Sequence, residues 1–333
     1  MSDIYTVTSL ADSGAGTLRE AIDSANGPRT VEFSVGGIIR LQSKLTFDQS
    51  GMTVDGETAP GIGITIADYE TRVMSAANVA LRHMRFRLGD RVGGGQDALQ
   101  LVESRDVIVD QCSISWGIDE CLGIFDCRRV TVQNCIISEG LHKSSHPKGV
   151  HSMGLIHQGG ELSLRGNLLA HHNMRSPFSK PRLSRPCQLD MVNNVIYDWG
   201  VLATDLGTNP PGPNPQGGEL HANWTNNFYR PGPSSATANR EFRGRTDAKL
   251  WDSGGNVIDG HVFVAPWGGH QTVSEPFSFG STDVNSATAA YADVLRSAGA
   301  SHYRDDIDQR IVNQVSARSG RVIDSQTQVG GWP

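Results

Sequence analysis

Hydrophobic residues recur at matching positions in eight successive segments of the chain, with polar residues between them. The first hydrophobic column consists of Met52, Val79, Val107, Val130, Leu162, Leu189, Ala222 and Trp251. A second column, two residues further along each segment, consists of Val54, Leu81, Val109, Val132, Leu164, Met191, Trp224 and Ser253. A spacing of two is that of a β-strand with one buried face, because successive side chains point to opposite sides. The pattern predicts eight strands that share one core.

A ladder of residues follows three positions after the second column. It consists of Glu57, Met84, Cys112, Cys135, Asn167, Asn194, Asn227 and Asn256. Its seven steps cover 199 residues, about 28 per step, which is typical of one coil of a β-solenoid. Asparagine suits such turns because it tolerates the left-handed conformation and its stacked amides can hydrogen-bond along the axis. We therefore predict an all-β fold, a right-handed, single-stranded parallel β-helix. The alternative is a β-sandwich, whose turn signals would recur every 8 to 12 residues.

Both ends of the coil region carry helical patterns, as expected if they cover the exposed strand edges of an open solenoid. Residues 17–20 form a capping-box pattern, and an apolar stripe continues to Ala25. Residues 286–298 and 305–318 are predicted to be amphipathic helices that lie along the outside or cover the last coil. We predict one domain, 1–333, with an N-terminal strand and capping helix in 1–30, main coils in 50–260, and a C-terminal helical extension in 261–333.

Composition limits the function classes. The formal charge of −6 argues against a nucleic-acid binder. Five cysteines cannot all pair, and Cys112 and Cys135 on adjacent rungs are predicted to be small buried residues. No stretch reaches the length of a membrane span, and the first ten residues lack the basic and apolar regions of a signal peptide. The protein is therefore expected to be cytoplasmic, or exported with a signal that is not part of this sequence.

Cations and histidines concentrate on the long coil between Cys135 and Asn167 and on the start of the coil that follows it. They are His142, Lys143, His146, Lys148, His151, His157, His171, His172, Arg175, Lys180 and Arg182. On an acidic chain this concentration predicts a local basic groove that could hold a polyanion. The proline-rich insert 208–218 is predicted to wall the groove on one side.

The ladder also sets an expected register for the charged residues. Lys148 lies 19 residues before its rung at Asn167, and Arg175 lies 19 before Asn194, which predicts that these two cations stack on adjacent coils. The alternative is a salt-bridged surface with no such stack.

Two carboxylates show the same kind of match. Asp97 and Glu120 each lie 15 residues before their rungs, so they are predicted to stack about 4.8 Å apart. Like charges at that distance repel unless a cation lies between them. With Asp119 adjacent, the oxygen-rich cluster suggests Ca²⁺. The alternative is that Asp97 and Glu120 point to solvent at a turn and never meet.

Five segments resemble the bacterial pectate lyases of the parallel β-helix superfamily. They are DVIVDQCSISWGIDE (106–120), SEGLHKSSHPKGVHSMG (138–154), HHNMRSP (171–177), DGETAPGIGITI (55–66) and the closing VGGWP. The resemblance covers nearly the whole chain. It implies a secreted, monomeric enzyme that cleaves polygalacturonate by β-elimination, with an acidic polysaccharide as partner and neither nucleic acid nor membrane.

The resemblance also implies roles for single residues. Arg175, followed by Ser-Pro, matches the catalytic base of the family. Lys148 matches the family lysine that contacts the substrate carboxylate better than Lys143 does, and Lys180 stands where the family has a second arginine. The other substrate contacts would be Lys143, His146, His151, His172 and Arg182.

Calcium ligands of the family come from two adjacent coils, which implies Asp97 followed by Asp119 or Glu120. The family often has acids four residues apart on the second coil. Here the partner positions are Gly123 and Ile124, so weak metal binding, or binding only with substrate, is expected.

The chemistry explains why these residue types are needed. A proton alpha to a uronate carboxylate is removed only if a metal and cations on that carboxylate stabilise the carbanion. An arginine base must be briefly neutral, although the ordinary arginine pKa is about 12 or more, and cations such as Lys148 and Lys180 would favour the neutral form. The alternatives are a metal-independent pectin lyase or another polyuronate lyase, a hydrolase using Asp97 and Asp119, and a non-catalytic carbohydrate-binding β-helix. The Asn-Thr-Asp, Gly-His-Gly and Arg-Ile-Lys motifs of polygalacturonases are absent.

Overall fold

The chain winds into a stack of coils in which the strand pairs are parallel. A computed structural model describes residues 3–182, 187–208, 218–235, 240–260, 267–281 and 283–332. Within those ranges each coil pairs with the next through strands in equivalent positions. This arrangement confirms the all-β parallel β-helix. The insert predicted at 208–218 lies almost entirely outside the described residues.

Three columns of strands run along the stack, and one coil visits each column once. Sheet 1 contains Asp3–Val7, Arg29–Phe33, Met52–Asp55, Ala77–Arg82, Arg105–Asp110, the second halves of Glu120–Gln133 and Met153–Arg165, Cys187–Val192, Leu220–Thr225, Ala248–Asp252 and Gln271–Thr272. Sheet 2 contains Gly37–Arg40, Ile64–Ala67, Met84–Arg87, Ser113–Ser115, Ile136–Ser138, Leu168–Ala170, Val195–Tyr197, Phe228–Arg230 and Val257–Ile258. Sheet 3 contains Leu45–Phe47, Thr71–Met74, Leu99–Val102, the first halves of Glu120–Gln133 and Met153–Arg165, Phe178–Lys180, Thr204–Leu206, Phe242–Gly244 and Trp267–Gly268.

The predicted hydrophobic columns form the inner face of sheet 1 except in the last segment, and the ladder is wrong at its first rung. Ala222 pairs with Leu250, which is buried, so Trp251 is one residue out of register. At the other end Met84 pairs with Ile64, so Ile64 and not Glu57 occupies the first rung of the ladder. Between those ends the predicted register is confirmed.

The asparagine ladder forms as predicted at the turn between sheets 1 and 2. The side-chain amide of Asn167 donates to Asn194 Oδ1 at 2.9 Å, and Asn194 and Asn227 each repeat this bond to the next rung at 3.0 Å. The left-handed residue is the one before the rung at Asn167, Asn194 and Asn227, for example Asn193 with φ of 56°. All five cysteines are free and buried, which confirms the prediction for the cysteine rungs.

The coils begin earlier and end later than predicted. Asp3–Val7 already pairs with Arg29–Phe33, so the solenoid starts at residue 3 and not near 50. At the other end Gln271–Thr272, which lies beyond residue 260, pairs with Ala248–Asp252 of the preceding coil. The predicted N-terminal helix is α1 (Leu18–Asp23), whose N-cap Thr17 accepts from the Glu20 backbone N–H. Its apolar face, Leu18, Ala21 and Ile22, is buried in the core at the end of the stack.

The two C-terminal helices lie along the outside of sheet 2. They are α2 (Ala287–Ser297) and α3 (Asp306–Ala317), within one residue of the predicted bounds at each end. Short 3₁₀ turns occupy Gly56–Thr58, Ser301–Tyr303 and Gln326–Val329. No helix among the described residues is long and apolar enough to cross a membrane.

A row of buried ion pairs fixes α3 to sheet 2, and we call it the helix seam. Its members are Arg85, Arg87, Glu139, Asp305, Asp308 and Arg310. Arg87 donates to Asp308 at 2.9 Å, and Arg310 donates to Glu139 at 2.6 and 2.9 Å. Paired charges of this kind can be buried because each has an opposite partner and hydrogen bonds.

Candidate active site

Three carboxylates meet where the chain enters sheet 3, and we call Asp97, Asp119 and Glu120 the acid cluster. Leu99 pairs with Leu122 on the next coil, which places Asp97 level with Glu120 as the register predicted. One carboxylate oxygen from each of the three residues lies within 4.8 Å of the others. Asp97 and Glu120 are each only 3% exposed. The alternative, that these acids point to solvent and never meet, is therefore wrong.

The acid cluster is electrostatically strained. Asp97 accepts hydrogen bonds from the Glu120 backbone N–H at 3.0 Å and from Gln100 Nε2 at 2.9 Å. Burial nevertheless raises the pKa of Asp97 to about 7, and the charges of Glu70 and Asp119 add to the shift. Burial and the neighbouring Asp97 also raise the pKa of Glu120 well above its ordinary value. Too little positive charge therefore surrounds Asp97 and Glu120 for both carboxylates to ionise together at neutral pH.

The missing family acids have a steric explanation at one position. A Cβ on Gly123 would lie 2.3 Å from Asp97 Oδ2, so Asp97 already fills the space that a side chain at 123 would need. Ile124 is fully buried in the core of the solenoid. Neither position can add a carboxylate to the acid cluster without rearrangement.

Arg175 reaches the acid cluster from two coils beyond Glu120, because Glu120 pairs with Met153 and Met153 bridges to Met174. Its backbone carbonyl accepts from the Leu155 N–H at 2.6 Å, which fixes the residue beside the Met153–Arg165 strand. Its guanidinium forms a close ion pair with the Glu120 carboxylate, and its side chain is 26% exposed. The predicted base and the predicted metal ligands therefore share one site.

A group of cations surrounds the Phe178 ring beside this ion pair. Lys180 Nζ lies 5.1 Å from the ring centroid, and the guanidinium carbons of Arg175 and Arg245 lie at 5.7 and 5.8 Å. Such positions are favourable because the ring face is negative. Burial lowers the pKa of Lys180, and the charge of Arg175 lowers it further.

Two arginines of this surface were missed from the sequence. Arg243 and Arg245 flank Gly244 on sheet 3, and both donate to the Asp205 carboxylate. The sequence feature that could have identified them is their spacing of two residues along a short strand, which puts both side chains on the outer face. Arg182, which was predicted, pairs with Asp126 at 2.9 Å and remains 40% exposed.

His146 and His151 lie against the acid cluster. Their rings stack with centroids 3.5 Å apart, and their Nε2 atoms lie 3.4 and 3.3 Å from the two Asp119 oxygens. His146 Nδ1 accepts from the Lys148 N–H, and burial lowers the pKa of His146. Both rings are largely buried, so they hold Asp119 in place, and their predicted contact with substrate stays a prediction.

The predicted stack of Lys148 on Arg175 is wrong. Met153 bridges to Met174, so the residue level with Arg175 is Gly154. The two coils differ in length. Gly160 comes four positions after Ile156, whereas its partner Cys187 comes nine positions after Phe178, the partner of Ile156. Lys143 and Lys148 are both exposed on the loop before residue 153, and their choice as the substrate lysine stays open.

His172 is corrected from a substrate contact to a structural residue. It is 1% exposed, its Nε2 bonds the Ile137 carbonyl, and its Nδ1 accepts from the Gly140 N–H. Burial lowers its pKa to about 4. His157 and His171, which were counted with the basic groove, are also fully buried. Most histidines on these coils are therefore buried and form hydrogen bonds with groups inside the protein.

Known proteins resemble this chain in sequence over almost its full length. A probable pectate lyase C of Neosartorya fischeri is 33% identical over 98% of this chain and 76% of its own length. Probable pectate lyases C of Aspergillus flavus and Emericella nidulans are 32% and 30% identical over 99% of this chain and 77% and 75% of theirs. These relatives are fungal, whereas the sequence resemblance pointed to bacterial enzymes. No protein-family model matches the chain.

Solved structures share the fold. A major allergen of cedar pollen matches with a TM-score of 0.64 at 16% identity, covering 89% of this chain and 88% of its own. A pectate lyase of Bacillus sp. N165, solved with trigalacturonate, matches with a TM-score of 0.56 at 15% identity, covering 90% and 93%. With the sequence relatives, the coiled fold and the site at sheet 3, these findings place the chain in the pectate lyase family.

Proposed function

We propose that this pectate lyase uses Arg175 as the base that starts β-elimination in polygalacturonate. The observation that carries the proposal is the position of the Arg175 guanidinium at the acid cluster, on the outer face of the solenoid. A polymer can lie along that open face, and the partly exposed guanidinium can reach a bound sugar.

The proposed reaction removes one proton from carbon and breaks one carbon–oxygen bond. A neutral Arg175 nitrogen takes the proton from the carbon alpha to the uronate carboxylate. The electron pair left behind forms a double bond to the beta carbon, and the glycosidic carbon–oxygen bond breaks. The leaving oxygen gains a proton from water, and the protonated Arg175 returns its proton to the resulting hydroxide, so the products are a new reducing end and an unsaturated sugar. Stabilising the developing negative charge is the difficult part of this step.

The acid cluster is the proposed calcium site. Its donors are all carboxylate oxygens, which Ca²⁺ prefers, and a cation would offset the burial and the mutual repulsion that raise the pKa of Asp97 and Glu120. Asp97, Asp119 and Glu120 would hold the ion, and substrate and water would supply further oxygens. When bound, Ca²⁺ would place positive charge on the uronate carboxylate and make the alpha proton more acidic.

Cations of the groove are proposed to hold the rest of the sugar chain. Lys180 and Arg175 lie over the same Phe178 ring, and the charge of Arg175 lowers the pKa of Lys180, so Lys180 is the best candidate to bind the carboxylate of the reacting sugar. Arg182 and the exposed Lys143 and Lys148 would contact neighbouring sugars. We propose an extracellular site of action, because a polysaccharide of this size must be degraded where it lies.

A substrate panel tests these assignments. Polygalacturonate, methyl-esterified pectin and a second polyuronate would be incubated with and without excess chelator, and unsaturated products followed by ultraviolet absorbance. We expect the fastest reaction on polygalacturonate and its loss in chelator, with recovery on adding Ca²⁺. Full activity in chelator, highest on esterified pectin, would contradict the calcium assignment and indicate a metal-independent pectin lyase.

A further inference from the structure

Every carboxylate of the acid cluster has a partner, and within the described part of the chain one of these partners is a permanent cation. Asp97 is held by uncharged N–H donors of Glu120 and Gln100. Asp119 lies against the two stacked imidazoles. Glu120 is held by the Arg175 guanidinium. Among the described residues, the one permanent positive charge in contact with the acid cluster therefore belongs to the proposed base.

The Arg175 guanidinium lies on the same carboxylate that a calcium ion would need. Its Nη1 bonds Glu120 Oε1, within a cluster whose three ligand oxygens span less than 4.8 Å. Two cations on one carboxylate repel each other, and this repulsion is strong where water is largely excluded. Gly123 and Ile124 offer no additional acid that could carry the ion elsewhere.

We infer that Arg175 and the metal ion compete for Glu120, so that cation binding to the acid cluster is the event that frees Arg175 for the substrate. This inference rests on the proposed function. Glu120 would act as a positioning residue that exchanges one cation for the other. While Glu120 holds the guanidinium, the Arg175 Nη1 is occupied by that ion pair and is not available to a bound sugar. After the exchange, the guanidine would face the groove beside the cations of Lys180 and Arg245.

The competition predicts that removing Arg175 strengthens metal binding. Calcium affinity would be measured calorimetrically, without substrate, for the wild-type protein, Arg175→Gln and Lys180→Gln. The lysine variant is the matched control, because it removes one positive charge beside Arg175 while its ammonium lies over the Phe178 ring and not on Glu120. We expect Arg175→Gln to bind Ca²⁺ about tenfold or more tightly than Lys180→Gln, since it alone removes a cation in contact with a ligand. Arg175→Lys, with the charge kept at shorter reach, should lie between Arg175→Gln and wild type.

The outcomes separate this inference from the proposed function. If wild type binds Ca²⁺ and both glutamine variants shift equally or not at all, the competition is refuted while the calcium site stands. If none of the folded proteins binds Ca²⁺, the competition and the calcium assignment both fail. Arg175 as base is judged separately, by the activity of Arg175→Lys. Thermal unfolding curves would confirm that each variant is folded before its affinity is compared.

Discussion

Carboxylates and arginines meet in two regions of this molecule, the acid cluster and the helix seam, with opposite electrostatic results. In the helix seam three arginines face three carboxylates. Burial alone would raise the pKa of Asp305 and Glu139, but hydrogen bonds and charge from Arg87 and Arg310 outweigh it, and both pKa values lie below their ordinary range. In the acid cluster one arginine faces three carboxylates, and the pKa of Asp97 rises to about 7.

The difference shows which ion pairs are structural. A balanced group such as the helix seam needs nothing further, and its function is to fix α3 on sheet 2. An unbalanced group is destabilising unless another cation binds, so such a group beside a partly exposed arginine is typical of a functional site. Substitutions in the two regions should therefore affect different properties, stability in the helix seam and chemistry at the acid cluster.

The largest effect is expected at Arg175. Arg175→Lys keeps the charge but loses the guanidine, so kcat on polygalacturonate should fall by about 10³-fold, with KM and thermal stability near wild type. Steady-state kinetics and thermal unfolding measure these quantities. Near wild-type turnover would remove Arg175 from the mechanism.

A matched change in the helix seam should have the opposite profile. Arg310→Gln leaves the buried Glu139 carboxylate without its charged partner, so the free energy of unfolding should fall by about 3 kcal/mol. Activity per folded molecule should remain unchanged. Denaturant unfolding gives the first quantity and kinetics the second. Arg296→Gln, which breaks an exposed pair with Asp293, is the control and should not change stability measurably. A loss of kcat in Arg310→Gln would contradict a purely structural function of the helix seam.

Removing one carboxylate from the acid cluster should weaken metal binding. Asp97→Asn is expected to reduce Ca²⁺ affinity by about tenfold or more, because affinity depends on the number of charged ligands. Asp190→Asn is the control, since Asp190 is also a buried carboxylate, with a pKa raised to about 6, but lies on sheet 1 beside Ser281. Calorimetry that gave equal affinities for both variants would exclude Asp97 as a ligand.

The smallest effect concerns the pH dependence of stability without metal. Because folding raises the pKa of Asp97 from 3.8 to about 7, the folded protein binds more protons than the unfolded chain between those values. Stability should therefore fall as pH rises through that interval, and added Ca²⁺ should oppose the fall. The melting temperature of wild type minus that of Asp97→Asn isolates this contribution. A melting-temperature difference that stays constant from pH 4 to 8 would show that folding does not raise the pKa of Asp97.

The sequence predicted most of the fold because a solenoid repeats one local pattern. Errors arose where coil length changes: the turn 56–63 moved the first rung to Ile64, and one extra residue before Asn256 shifted Trp251 out of the core column. Counting residues placed Asp97 beside Glu120 because their coils match in length. It failed for Lys148 because its coil and the next do not.

Side-chain partners were harder to predict than backbone register. Nothing local in the sequence distinguishes a buried His172 from a surface histidine, since burial depends on which face of the turn points inward. The helix seam joins residues about 170 to 220 positions apart, so neither periodicity nor spacing could reveal it. The ion pair between Arg175 and Glu120 likewise links side chains 55 residues apart.

The central claim is that this chain cleaves polygalacturonate by elimination. The most direct measurement counts two products in the same digest: unsaturated ends by ultraviolet absorbance and new reducing ends by a chemical assay. Elimination predicts one unsaturated end for each new reducing end, with a rate that climbs above neutral pH as an arginine base and an ionised acid cluster require. New reducing ends without ultraviolet absorbance, fastest near pH 5, would contradict the claim and indicate hydrolysis by paired carboxylates.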